Sequence, residues 1–304
     1  KNSRQSFSKI GKKVGLPKNV VAYRIKKMQD SELINLFCTI VNRKRLGYLH
    51  CRLFLKFRNF NEKLEKKILS ALKNIKNIHW VATFDGLFDF CIIFLARNLD
   101  EMTEVYEKII YRFNNYILDK ELCVGEKAYH FPYNFLYNKL DEKIDFAKKE
   151  KTPLKIDKTD IKIINLIKQN SRKSMLELME HLKLSPQVIR ARIRRMEKDK
   201  IIYGYKIRLE HSLLGLNHFY IFLNLTNINK EKEKEIIACI ASFPSTTKII
   251  KEIGGWDLEF ECVFPSHFEL HDFLKELKNQ FPKNIQKIES ALIYKIHDIN
   301  TVKY

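Results

Sequence analysis

Two stretches of this chain spell one pattern. "NSRQSFSKIGKKVGLPKNVVAYRIKKM" opens at Asn2 and "NSRKSMLELMEHLKLSPQVIRARIRRM" at Asn170. Aligned without a gap over residues 2–34 and 170–202, ten of 33 positions are identical, where composition would give roughly two or three. The register persists downstream. Leu46-Gly47 meets Leu214-Gly215, Phe54-Leu55 meets Phe222-Leu223, and Gly86 and Asp89 meet Gly254 and Asp257. A period this long is no solenoid repeat, so the chain is expected to carry one unit of one or two domains, twice. Its 304 residues have room for roughly two to four domains with real cores.

The first part of each unit reads as a helix-turn-helix. In the second copy, "DKTDIKIINLIKQ" offers Asp157 as an N-cap, with Ile161, Ile164 and Ile167 on one face. Ser174 caps a short helix with Leu178 and Leu182 inward. Ser185-Pro186 then starts a third helix, whose apolar stripe is Val188, Ile189, Ile193 and Met196. A short helix, a tight turn and a basic amphipathic helix is the arrangement whose last helix enters a major groove. Gln187, Arg190 and Arg194 fall on the stripe that would face the groove floor, and Arg195 and Lys198 lie nearer its walls. The first copy keeps Lys18, Arg24, Lys26 and Lys27 at this place. Arg24 and Arg192 align, and both border the apolar stripe, where they brace the fold or hold a phosphate. Against the reading of a solvated charged face stands "RARIRR", which has no acid for internal pairing.

The second part alternates strands and helices. "HFYIFLNLT", "STTKIIKEI", "WDLEFECVF" and "IQKIESALIYKI" carry strand patterns, and "KEKEKEIIACIASF" and "SHFELHDFLKELKNQF" are amphipathic. The order is β-α-β-β-α-β, a ferredoxin-like split βαβ, which the first copy repeats from "HCRLFLKF" to "LDKELCVGEKAY". The expected fold class is α+β, two copies of a helix-turn-helix followed by a ferredoxin-like domain. The expected limits are a helix-turn-helix over 1–36, a ferredoxin-like domain over 37–140, a linker over 141–156 around "DEKIDFAKKEKTP", a helix-turn-helix over 157–206 and a ferredoxin-like domain over 207–304.

A formal charge of +20 favours a polyanionic partner, nucleic acid before membrane surface, although a lysine-rich genome would also raise it. Six scattered cysteines without a C-x-x-C pair, mostly in apolar runs such as "FDFCIIFLA", fit buried thiols in a cytoplasmic protein better than a disulfide framework or zinc ribbon. No apolar stretch approaches a membrane span and no signal peptide is evident.

In "DKTDIKIINLIKQNSRKSMLELMEHLKLS", "VIRARIRRMEKDKIIYGY", the "LLG" that follows and "GGWDLEF", the chain resembles the Lrp/AsnC ("feast/famine") transcription regulators, along nearly its whole length and twice. The resemblance implies double-stranded DNA as partner, a ferredoxin-like domain for assembly, and a small effector such as an amino acid bound near the G-x-x-D loops. The residues concerned are Gly86, Asp89, Gly254, Gly255 and Asp257. Family members carry one unit, so two fused units imply an internal pseudo-dimer or a homo-oligomer. Two departures stand out. The family's recognition helix ends in glycine, where this chain has Glu32 and Lys200, so a different exit is expected. The counterpart of Asp157–Gln169 would fall before Lys1, so the first helix-turn-helix is expected to be truncated.

The glycines and aspartates of the G-x-x-D loops read equally as hairpin turns. His267 and His271 lie four apart without a third ligand, and "HFELH" is not the H-E-x-x-H of zinc enzymes. No metal or cofactor is expected, nor a catalytic set. An alternative is an enzyme like the sirohaem decarboxylases, which share this layout but rely on a His- and Arg-rich stretch around the middle strands; here only His79 stands there. Another is a sequence-neutral chromatin architect. The reading preferred is a sequence-specific regulator and no enzyme.

Overall fold

The computed structural model describes residues 2–137, 156–297 and 299–304. The first half runs α1 (Phe7–Val14), α2 (Lys18–Asp30), β1 (Ile34–Val41), β2 (Leu49–Phe57), α3 (Glu62–Leu72), β3 (Ile78–Gly86), β4 (Phe90–Ala96), α4 (Leu99–Phe113) and β5 (Ile117–His130). The second runs α5 (Lys158–Ile167), α6 (Met175–Leu182), α7 (Pro186–Lys198), β6 (Ile202–Leu209), β7 (Asn217–Leu225), α8 (Lys230–Ser242), β8 (Thr246–Ile253), β9 (Leu258–Phe264), α9 (His267–Gln280) and β10 (Ile285–His297). Only α5 lacks a counterpart among the described residues. The caps recur with the elements: Ser6 and Ser174 start α1 and α6, and Asn61 and Asn229 start α3 and α8. In each, the side-chain oxygen accepts from an otherwise orphaned backbone N–H. The linker expected over 141–156 lies, Ile156 apart, outside the described residues.

Two compact units form, and neither follows the halves. The first comprises residues up to Gly47, those up to Leu214 of the second half, and Tyr304; the second comprises the rest. Strands β1 and β6, which straddle the expected domain limits at 36 and 206, pair with each other in the helical unit. Their register centres on Cys38 opposite Lys206, flanked by Phe37 opposite Ile207 and Thr39 opposite Tyr205. Cys38 and Lys206 are themselves 168 positions apart, so the ribbon is two-fold symmetric in register. The repeated Asn-Ser-Arg segments close on the same symmetry. The hydroxyls of Ser3 and Ser171 lie 2.9 Å apart. Arg4 donates to the Ser171 carbonyl, and Arg172 donates to the carbonyls of Ser3 at 2.6 Å and Gln5 at 3.0 Å. Each copy thus satisfies backbone groups of the other.

Ile163, Ile164, Ile167, Leu178, Ile189, Ile193 and Met196 form one core with Ile201, Ile202 and Tyr205. Two expectations shift here. The buried face of α5 contains Ile163 in place of Ile161, and Val188 is 40% exposed, outside the stripe of α7. The exits of the recognition helices, expected to differ from the glycine form, keep it. Glu32 and Lys200 both occupy the left-handed region, at φ 60° and 58°. After α7, Lys200 N–H reaches Glu197 and Ile201 N–H reaches Met196, the paired bonds of a glycine-type helix end made without glycine.

The second unit is a closed barrel in the order β10-β3-β4-β2-β5-β8-β9-β7. Each half contributes four antiparallel strands, with its fourth beside its first and its third between first and second, the connectivity of a split βαβ unit. The halves join twice in the same register: Val124 faces Ile253 where β5 meets β8, and Leu292 faces Asp85 where β10 meets β3. Closure leaves no edge strand.

Side chains alternate between two environments. Cys51, Leu53, Leu55, Phe90, Ile92 and Phe94 turn outward under α3 and α4. Phe219, Ile221, Leu223, Leu258, Phe260 and Cys262 do so under α8 and α9. The interior is lined by Phe54, Phe84, Phe88, Tyr220, Phe222 and Trp256, with Trp256 stacked on Phe222 at 4.4 Å. Phe54 and Phe222 therefore lie where the halves meet, and Phe90 and Phe260 anchor helices.

Candidate nucleic-acid interface

Helix α7 is placed by its own apolar stripe and by the acids of α5. Asp157 caps α5, accepting from the backbone N–H groups of Thr159 and Asp160 at 2.8 Å. Its other oxygen lies 2.5 Å from Arg192 Nη1, and Asp160 Oδ1 lies 3.0 Å from the same nitrogen. Arg195 pairs with the second oxygen of Asp160. The Asp160 side chain is fully buried, where an unpaired carboxylate would be costly. The Arg192 guanidinium beside Asp157, with its bonds to backbone, holds that carboxyl below its ordinary range.

This pairing sorts the basic residues of α7. Arg192 and Arg195 brace α7 against α5. Gln187, Arg190, Arg194 and Lys198 are exposed, and among the described residues they make no ion pair. Val188 joins that exposed surface, an apolar group of the kind that contacts thymine methyls. On α2, Lys18, Arg24, Lys26 and Lys27 are all exposed. The positions matching Gln187, Arg190 and Arg194 hold Asn19, Ala22 and Lys26, so the two helices present different chemistry. Sequence reading could not separate Arg192 from Arg194, because the acids that claim Arg192 sit more than thirty positions away.

The G-x-x-D loops have work inside the barrel. Asp89 accepts from Phe57 N–H at 2.7 Å and from Lys56 at 2.8 Å. Asp257 accepts from Leu225 N–H at 2.7 Å. Gly86 and Gly254 have φ of 129° and 136°. A Cβ on Gly254 would stand 2.6 Å from the Leu122 carbonyl oxygen, and one on Gly86 would stand 3.1 Å from that of Ser290. A Cβ on Gly255 would collide with Glu121. Each loop thus lets one half's hairpin, β3–β4 or β8–β9, press against the other half's last strand. His267 packs edge-on to Phe219 at 4.9 Å, and among the described residues no group of three or more potential metal ligands occurs.

Sequence reading missed a charged cluster inside the barrel. Arg52 of β2 pairs with Glu252 of β8 and Glu259 of β9, all three side chains having no exposure. Beside them, Lys248 contacts Glu261 at 2.8 Å and His218 lies 3.4 Å from the same carboxylate. Burial pushes the Glu259 carboxyl up and the Lys248 ammonium down. Burial would also raise Glu261, but Lys248 and His218 hold it well below the ordinary range. In "HCRLFLKF" the arginine occupies an inward position, a signal that alternation alone contained.

A family model described as winged helix-turn-helix DNA-binding matches residues 156–203. The proline dehydrogenase transcriptional activator of Rhodobacter capsulatus is 31% identical over 103 residues, 34% of this chain and 67% of that protein. The regulator LrpC of Bacillus subtilis is 40% identical over 63 residues, 21% of this chain and 44% of its own length. Among solved structures, the sirohaem decarboxylase NirDL is similar in fold, with a TM-score of 0.62 and 12% identity over 99% of this chain and 89% of the other. No helix among the described residues is long and apolar enough to cross a membrane.

Proposed function

As the chain belongs to the Lrp/AsnC-type helix-turn-helix transcription regulators, we propose that it binds specific double-stranded DNA sites through α7, with α2 as a weaker second grip. The sorting of arginines carries this reading: two are spent on Asp157 and Asp160, and the rest face solvent. In our reading Gln187, Arg190 and Arg194 meet base edges near the start of the helix, and Lys198 meets a phosphate. Arg192 and Arg195 position α7, and Lys18, Arg24, Lys26 and Lys27 supply sequence-neutral contacts. The repeated element order and caps support descent from a duplicated ferredoxin-like unit preceded by a helix-turn-helix, with the barrel acting as an internal dimer.

We assign effector response to the barrel unit. Since the carboxylates of Asp89 and Asp257 are occupied by backbone, an amino acid bound at these loops would use main-chain groups around Gly254 and Gly255. Calorimetric titration with free amino acids checks this, and an unchanged response in Gly255→Val would remove the loop from consideration. The similarity to the sirohaem decarboxylase concerns fold; the described middle strands β3, β4, β8 and β9 carry His79 as their one histidine, which lies edge-on to His50 of β2 with centroids 6.1 Å apart. The expected outcome of mixing with an iron porphyrinoid is no turnover.

The DNA reading is tested by selecting bound duplexes from a random pool and titrating the winners at two salt concentrations. An enriched motif is expected, with Arg190→Ala and Arg194→Ala weakening it. Lys198→Ala should weaken all duplexes alike and lower the salt slope by about one unit. Failure to enrich any motif would favour the chromatin architect.

A further inference from the structure

The two halves of the barrel are not equivalent where they meet. Shifted by one repeat, Arg52 becomes Tyr220, Glu252 becomes Phe84 and Glu259 becomes Cys91. The contacts shift with them. Arg52 of the first half meets Glu252 and Glu259 of the second, and Tyr220 of the second half packs on Phe84 of the first, centroids 5.5 Å apart. One side of the interior is ionic and the symmetry-related side is aromatic.

We propose that this buried cluster is a pairing code, which makes each first-half sheet accept only a second-half sheet as partner. The backbone at the junction permits the alternatives. The β5–β8 and β10–β3 ladders have the same register, and Gly86 and Gly254 make the same close approach to the opposing strand. A first-half sheet meeting its like from another chain would place two arginines against Phe84 and Cys91, with no carboxylate. A second-half sheet meeting its like would bury Glu252 and Glu259 twice against tyrosine, without Arg52. Buried ions deprived of their partner are strongly disfavoured, whereas the complete cluster is tolerated. Rejecting wrong partners by unpaired charge is how specific interfaces separate close alternatives. The consequence is that the two differing helices, α2 and α7, are always presented as a mixed set.

Cysteine pairs in the full chain report which sheets meet, in a background with the partly exposed Cys38 and Cys239 changed to Ser. Asp85 and Leu292 are direct partners, so D85C/L292C should close under mild oxidation. In a like-with-like barrel, Asp85 would instead face Val124 of a second chain. Within one sheet these two positions are three strands apart, a lateral spacing of about 14 Å before their offset along the strands, beyond disulfide reach. D85C/V124C should therefore stay unlinked in the native sequence. Adding R52Y/E252F/E259L, which removes the Arg52–Glu252–Glu259 difference while leaving the Lys248–Glu261 pair within the second half, should produce covalent dimers from D85C/V124C after unfolding and refolding. R52Q/E252Q/E259Q, which keeps size and polarity, should do the same if the first set fails to fold. Dimers forming as readily in the native sequence would overturn the proposal. So would their absence from both uncharged variants when these show native circular dichroism.

Discussion

Arg190 and Arg192 sit two positions apart on α7, yet their replacement should produce opposite phenotypes. Arg192→Ala removes both contacts of one guanidinium nitrogen, to Asp157 at 2.5 Å and Asp160 at 3.0 Å. Hydrogen bonds to charged groups contribute roughly 1.5–3 kcal/mol each when shielded. Here Asp157 is 49% exposed and Arg192 27%, and Arg195 still holds Asp160, so screening reduces the loss to about 1–2 kcal/mol. That corresponds to a fall in Tm of roughly 2–8 °C, read by circular dichroism, with DNA affinity lowered only as far as α7 loosens. Arg190→Ala breaks no ion pair among the described residues and should leave Tm unchanged. Its cost appears in binding, about 1–3 kcal/mol or roughly 5- to 150-fold in Kd if it reads a guanine. Fluorescence anisotropy on a selected duplex at 25 °C separates the two. If Arg192→Ala abolished binding at unchanged Tm while Arg190→Ala bound normally, the sorting of arginines by the α5 acids would be refuted.

Lys200→Gly, and separately Glu32→Gly, should raise Tm, because a left-handed non-glycine residue costs about 1 kcal/mol that glycine does not; a lower Tm would mean those side chains make compensating contacts. Gly254→Ala should destabilise the barrel by about 2 kcal/mol or more and Gly86→Ala by less, following the 2.6 Å and 3.1 Å approaches of the added Cβ; chemical denaturation ranks them. The Glu261 carboxyl is held well below its ordinary range. Its stabilising share is therefore full above the unfolded carboxylate value of about 4.3 and lost as pH falls through the folded value. Glu261→Gln should flatten the acid limb of Tm against pH, and an unaltered limb would assign acid loss elsewhere.

Periodicity and capping residues were enough to place the helices and the β-α-β-β-α-β order, because those depend on neighbours within a turn or a strand. Ser185-Pro186 and Asp157 act in the structure as local chemistry dictates. What escaped is what only folding brings together. Arg52 and its two acids are 200 or more residues apart, and nothing in "HCRLFLKF" names them. Asp89 and Asp257 looked available for a ligand because the backbone N–H groups they accept from lie some thirty residues earlier. Glu32 and Lys200 misled in the opposite sense: residue type pointed to a changed helix exit, and the bonds at the exit kept the common geometry. The candidate interface was legible as a surface; which of its cations are spoken for was not.

Strand β10 lies between β7 of its own half and β3 of the other, and β1 waits for β6. On the ribosome, the first half therefore emerges with β1 unpaired and with β3 and β5 each open along one edge until their distant complements are made, β3 until β10 is complete. Loop closure over such separations is slow, and open strands invite pairing with neighbouring polysomal chains. Synthesis is thus the period of greatest exposure for this protein. Removing β10 would keep β3 in that state permanently, converting a sealed cylinder into a sheet with an adhesive border.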